Sequence, residues 1–160
     1  MSHIPVNHRL RPLYRALAVL IGLYLLIFGI IGAIQTADES FFSRGDTVVL
    51  GLKTNMAFSV LSIVMGVIVV LANLYGRNID HFVDLGAGGL FMFVGVFGLI
   101  IIRSDLNKLN FSVATCVVSS LIGTALLTIG LYNRTGPPEQ ARQEEAIRVP
   151  GGKHPGHAAV

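Results

Sequence analysis

The chain has 160 residues, of which 52% are hydrophobic and only 13% charged, and its mean hydropathy is +0.68. Soluble domains carry roughly 25% charged residues, so composition excludes an ordinary water-soluble domain and points to the membrane class. The lone Cys116 excludes an intrachain disulfide or a Cys-based zinc cage, and the net charge of +3 is spread over the margins of apolar blocks rather than gathered into a nucleic-acid patch.

Four blocks are nearly free of charge: 16–37, 54–79, 85–102 and 109–133, with Arg77 the one charged residue among them. About 20 helical residues cross a hydrocarbon core of roughly 30 Å. In lipid every backbone N–H and C=O needs an internal partner, so blocks this apolar predict helices. The expected fold is an all-α membrane protein: four transmembrane helices, as two antiparallel hairpins in one bundle, with a disordered C-terminal tail. The boundaries read as an N-terminal segment 1–13, spans of about 14–36, 54–76, 82–103 and 109–133, and a tail 134–160. The first block is expected to be an uncleaved span. It exceeds the roughly 7–15 apolar residues of a secretory signal, and no small-x-small site follows it.

Between the first two spans lies the longest connection, "DESFFSRGDTVVLGLK", in which "TVVLGL" is compatible with a short strand. The tail is rich in Pro, Gly and charge, with a marginal helix possible at "PEQARQEEAI" and no fixed metal set around His154 and His157. An even number of spans puts both ends on one side. That side and the middle loop hold Arg9, Arg11, Arg15, Arg77, Arg134, Arg142, Arg148 and Lys153; the other holds Arg44, Lys53, Arg103 and Lys108. Eight against four favours cytoplasmic termini.

Small residues recur on single helix faces. Span one carries Gly22 and Gly29, span two Ser59, Ser62 and Gly66, span three Gly88, Gly95 and Gly98, and span four Ser112, Ser119 and Gly123. Such faces let helix backbones approach in lipid. Internal packing is the favoured use and docking of another protein the alternative. Spans two and four also echo each other, "NMAFSVLSIVMG…LYGRN" against "LNFSVATCVVSSLIG…LYNRT", with starts 53 and ends 57 positions apart. Spans one and three share "GLYLLIFG" and "GLFMFVG". Two duplicated hairpins with a one-turn slip would explain both likenesses.

The motif that looks most like chemistry is "YGRNIDHFVDLGAGG", which sets Asp80, His81 and Asp84 together. One histidine and two carboxylates form an incomplete metal shell. The favoured reading is a helix start: Asn78 or Asp80 caps span three, the acids complement its positive end, and His81 lies at headgroup level. No HExxH, GxSxG or Walker pattern occurs, and no ionisable group lies at mid-span. No catalytic, metal or cofactor residue is therefore assigned.

The phrases "VLGLKTNMAFSVLSIVMG", "GRNIDHFVDLGAGGLFMFVG" and "LNFSVATCVVSSLIGTALLTIGLY" resemble a family of small four-helix membrane proteins of actinobacteria, catalogued as a domain of unknown function. The likeness runs from about Tyr14 to Asn133 and carries no catalytic motif. It implies a bacterial plasma membrane. The expected function is a non-enzymatic accessory or scaffolding component in the lipid bilayer, self-associating or joining a membrane complex, with no nucleic acid. The alternative is a small channel or carrier for a lipid or neutral solute.

Overall fold

The structure, a computed structural model, describes residues 9–136 and 139. Four helices, α1 (Arg11–Gln35), α2 (Met56–Tyr75), α3 (Ile79–Ile101) and α4 (Val113–Tyr132), are joined by short connections; a small hairpin of β1 (Val48–Val49) and β2 (Leu52–Lys53) interrupts the first. Helices of 20 to 25 residues are about 30–37 Å long, and all four are apolar enough to cross a bilayer. This is the all-α, four-span membrane fold that the sequence predicts. The expectations for residues 1–8, for the 138–147 helix and for His154 and His157 lie outside the described residues.

Local chemistry sets the helix ends. Pro12 sits in the first turn of α1, where its missing N–H is not needed, so the helix starts at Arg11 rather than after the last arginine. Gly76, Arg77 and Asn78 all adopt positive φ, at 73°, 54° and 67°. They reverse the chain within three residues, and α3 therefore begins at Ile79, ahead of the expected Phe82. Asn110, at φ 56°, breaks the fourth block, and Ser112 then caps α4 by accepting from the Thr115 amide. Asn55 caps α2 in the same way through Phe58.

The most extensive contacts run within two hairpins, α1 with α2 and α3 with α4. Glycines let the backbones touch. A Cβ on Gly22 would lie 3.1 Å from the Gly66 carbonyl oxygen, and one on Gly66 would lie 2.8 Å from that of Gly22. Gly88 and Gly123 repeat the arrangement, at 2.9 and 2.8 Å. Gly29 abuts Ser59 and Ile63, Gly95 abuts Cys116 and Ser120, and Gly98 abuts Cys116 and Phe111. Ser62 and Ser119 are buried on the same faces. Ser112 stands apart from this set, because it lies outside α4 as its cap. Packing at this distance gains dispersion, which drives helix association in lipid where hydrophobic burial cannot.

The hairpins are repeats of one arrangement. The caps Asn55 and Ser112, the buried pairs Ser59/Cys116, Ser62/Ser119, Gly66/Gly123 and Val69/Leu126, and the final Tyr75 and Tyr132 are each 57 positions apart. Gly22, Gly29 and Gly32 lead Gly88, Gly95 and Gly98 by 66. The expected one-turn slip is thus corrected to a single offset of 57 along the whole of α2 and α4. The phrase match that gave 53 paired residues one helical turn out of step, on about the same face but at a different depth.

At the end of the bundle away from the described chain ends, two asparagines knit the loops. Asn55 Nδ2 donates to the carbonyls of Ser43 and Lys108, at 3.1 and 2.8 Å. Asn110 Nδ2 donates to those of Gly45 and Thr54, at 2.9 and 3.0 Å. Beneath them, edge-on contacts of 5.6 Å join Phe28 to Phe58 and Phe58 to Phe111. On the outer faces, Leu20, Ile34, Phe82, Phe93 and Ile100 are exposed, as lipid-facing residues should be.

Candidate functional site

The opposite end, where α1 begins and α4 ends, buries a polar network. Asp80 occupies the first turn of α3 and Asp84 the next, so both face the same way. Neither carboxylate is exposed. Arg11 reaches across from α1: its guanidinium donates to Asp80 Oδ2 at 2.7 Å and to the Asn133 carbonyl at 2.9 Å. Arg15, one turn on, donates to the carbonyls of Asn73 and Leu74 and stays 3.6 Å from Asp80. The two arginines thereby cap the C-terminal ends of α4 and α2, where cations are favoured.

Asp84 is held by amides instead. Asn73 Nδ2 donates to its Oδ1 at 2.7 Å and Asn133 Nδ2 to its Oδ2 at 3.0 Å. Asn73 comes from α2 and Asn133 from the end of α4, so one carboxylate joins three elements. His81 Nδ1 lies 2.7 Å from the Gly130 carbonyl. A carbonyl only accepts, so Nδ1 carries the proton. His81 is buried against α4. The capping expectation is corrected. Asn78, the N-cap of α3, makes no side-chain cap bond; its side chain binds Thr135, donating to the carbonyl at 2.9 Å and accepting from the amide at 2.6 Å.

The cluster is therefore a fastening between the hairpins. Among the described residues no group of three His, Cys, Asp or Glu side chains is placed to hold a metal ion. Two acceptors, Asp80 Oδ1 and Asn133 Oδ1, are buried without a donor in reach. Each is available to a small donor such as water. Outside the spans, hydrogen bonds from Ser43 and then Thr47 hold the Glu39 carboxyl below its ordinary value, and Lys53 does the same for Asp46.

A second feature lies beside the network. α1 and α4 are parted by an open, almost wholly apolar groove of about 570 Å³, lined by Tyr14, Leu17, Leu20, Ile21 and Tyr24 on one wall and Ile122, Ala125, Thr128 and Ile129 on the other. Tyr14 stacks on Tyr132 at its polar end, with ring centroids 5.5 Å apart.

One family model, described as "Domain of unknown function (DUF4383)", matches residues 15–132. The chain belongs to that family. The DUF4383 match begins in the second turn of α1 and ends on the last residue of α4, so it covers all four helices. No curated protein and no solved structure matches the chain.

In this DUF4383 bundle, sequence reasoning named Asp80, His81 and Asp84 but missed their partners Arg11, Arg15, Asn73 and Asn133. A signal for Asn73 was present. Asn73 lies three residues before the 76–78 turn and Asp84 six after it, close enough along adjacent antiparallel helices for their side chains to meet. Gly32 and Gly130 were also passed over, although a Cβ on Gly130 would lie 2.8 Å from the Leu85 amide. Arg11 and Arg15 carried no such signal. Their use as helix caps depends on how α1 docks.

Proposed function

We propose that this four-span membrane protein is a non-catalytic accessory or scaffolding component of a bacterial plasma membrane, of actinobacterial type, with both termini in the cytoplasm. It works by self-association or as part of a larger membrane complex. The observation that carries this reading is the use made of the buried polar groups. Asp80, His81 and Asp84 each bond to another helix or its end, so the most chemical-looking cluster acts as a structural joint. Internal packing uses the small-residue faces, which leaves the outward apolar stripes of α1 and α3 to meet lipid or a partner.

Crosslinking in intact membranes, with identification of the captured proteins, tests the reading. Reproducible capture of a second copy or of one membrane partner supports it. A lone monomer, both crosslinked in membranes and purified in mild detergent, counts against it. A phosphatase fused after Arg134 should be inactive if that end is cytoplasmic. A second reading, carriage of a lipid or neutral solute, is favoured by the groove between α1 and α4. Solute or lipid flux in proteoliposomes that Ala125→Trp abolishes would replace the first reading with this one.

A further inference from the structure

The repeat makes the groove informative. Two seams join the hairpins, α2 with α3 and α1 with α4, and related positions line both. The groove residues Ile21 and Ile129 correspond to Ala87 and Ala72, at the offsets of 66 and 57. Both alanines are buried, and the α2–α3 seam has the closer contact. Isoleucine at both positions, with Tyr14 and Tyr24 beside it, holds α1 and α4 apart. One arrangement therefore closes at one seam and opens at the other.

The opening fits a lipid tail in shape and depth. From Tyr14 to Tyr24 the groove follows α1 for about 15 Å, half of a hydrocarbon core of roughly 30 Å. That is the depth of one leaflet. Among the described residues, the polar end carries positive charge outside any ion pair. Arg9 lies on the turn into α1, Arg134 directly follows the α4 cap Asn133, and neither has an ion-pair partner among the described residues. Arg11, bonded to the Asn133 carbonyl, draws these two chain segments together.

We propose that the α1–α4 groove is a binding site for an anionic glycerophospholipid, with one acyl chain between Leu17, Tyr24, Ile122 and Ala125 and the phosphate at Arg9 and Arg134. Guanidinium groups match phosphate geometry, and each basic residue at an anionic headgroup adds about a fivefold preference. The inference stands whether or not the protein is a scaffold.

Native mass spectrometry of the full chain in mild detergent, titrated with phosphatidylglycerol and phosphatidylcholine, tests it. Phosphatidylglycerol adducts should exceed phosphatidylcholine adducts on the order of tenfold. R9Q/R134Q should level the two, and Ala125→Trp should remove both. Equal adducts with wild type, or undiminished adducts with Ala125→Trp, would overturn the proposal. If Ala125→Trp does not fold, photolabelling of the wild type with an acyl-chain diazirine phosphatidylglycerol decides. Labels concentrated on Leu17, Tyr24 and Ile122 support the site, whereas even labelling that includes Phe93 and Ile100 sinks it. A crosslink between copies through Leu20→Cys in membranes would assign the groove to a second chain and also overturn the proposal.

Discussion

Arg11→Ala is the sharpest probe of the joint between the hairpins. Asp80 is fully buried, its contact with Arg11 is 2.7 Å, and the Arg11 side chain is only 21% exposed. Removing one partner of a buried pair leaves an uncompensated charge and costs about 3–5 kcal/mol. Arg15, at 3.6 Å, still offsets part of it, so the low end, about 3 kcal/mol, is expected. For a chain of this size that corresponds to a Tm lower by about 6–12 °C. Asp80→Asn keeps the volume and leaves Arg11 its bond to Asn133, so its cost should be nearer 1 kcal/mol. In the double variant no carboxylate is stranded. Its stability should approach that of Asp80→Asn, a coupling of about 3 kcal/mol. The chain has no tryptophan, but its lone Cys116 is fully buried. A thiol-reactive dye in a thermal ramp therefore reports unfolding without an added label. A Tm for Arg11→Ala within about 2 °C of wild type, or additive single losses, would refute the joint.

Neighbouring glycines on α3 should behave oppositely under the same thiol assay. Gly88→Ala pushes a Cβ to within 2.5 Å of the Leu127 amide and should cost about 1–3 kcal/mol, whereas Gly89→Ala meets nothing within 4 Å and should be neutral or stabilising by up to about 1 kcal/mol. Asn55→Ala removes the α2 cap and two loop ties, and should lower stability by about 2 kcal/mol while raising amide exchange in both the 43–47 and 104–108 segments. The Glu39 carboxyl is held below its ordinary value of 4.5 in the folded loop. Its contribution is therefore full above that value and is lost as pH falls through the lower folded value. Amide protection across 39–47, corrected for intrinsic rates, should drop as pH is lowered from 5 to about 3, and Glu39→Gln should reduce the dependence to the share that the Asp46–Lys53 pair contributes.

The spans were legible because the bilayer imposes a simple rule. Twenty apolar residues without charge must form a helix, so composition alone identifies α1 to α4. Their ends were harder to read. Charge-free length marks where a helix can enter hydrocarbon, not where it stops. Arg11 and Arg15 lie outside the first apolar block yet inside α1, because their guanidinium groups turn inward to carbonyls and a carboxylate. The breaks at 76–78 and at Asn110 depend on positive φ, which glycine and asparagine permit but do not require.

The polar cluster shows why a motif read along one segment misleads. Within 80–84 the chain shows an acid, a histidine and an acid, which looks like an unfinished shell. In three dimensions an arginine on α1, an asparagine on α2 and another after α4 bond to its two acids. A buried acid in lipid must find partners, and the nearest donors are the residues at the same depth on neighbouring helices. The same depth rule ties the network to the groove. Arg11 binds both Asp80 and the end of α4, so it sets how far apart α1 and α4 stand where the groove opens. Weakening the joint should therefore alter the groove before it unfolds the bundle. Arg11→Ala, at temperatures well below its Tm, should lose phosphatidylglycerol selectivity while Cys116 stays protected. Retained selectivity under those conditions would separate the two features and leave the fastening purely structural.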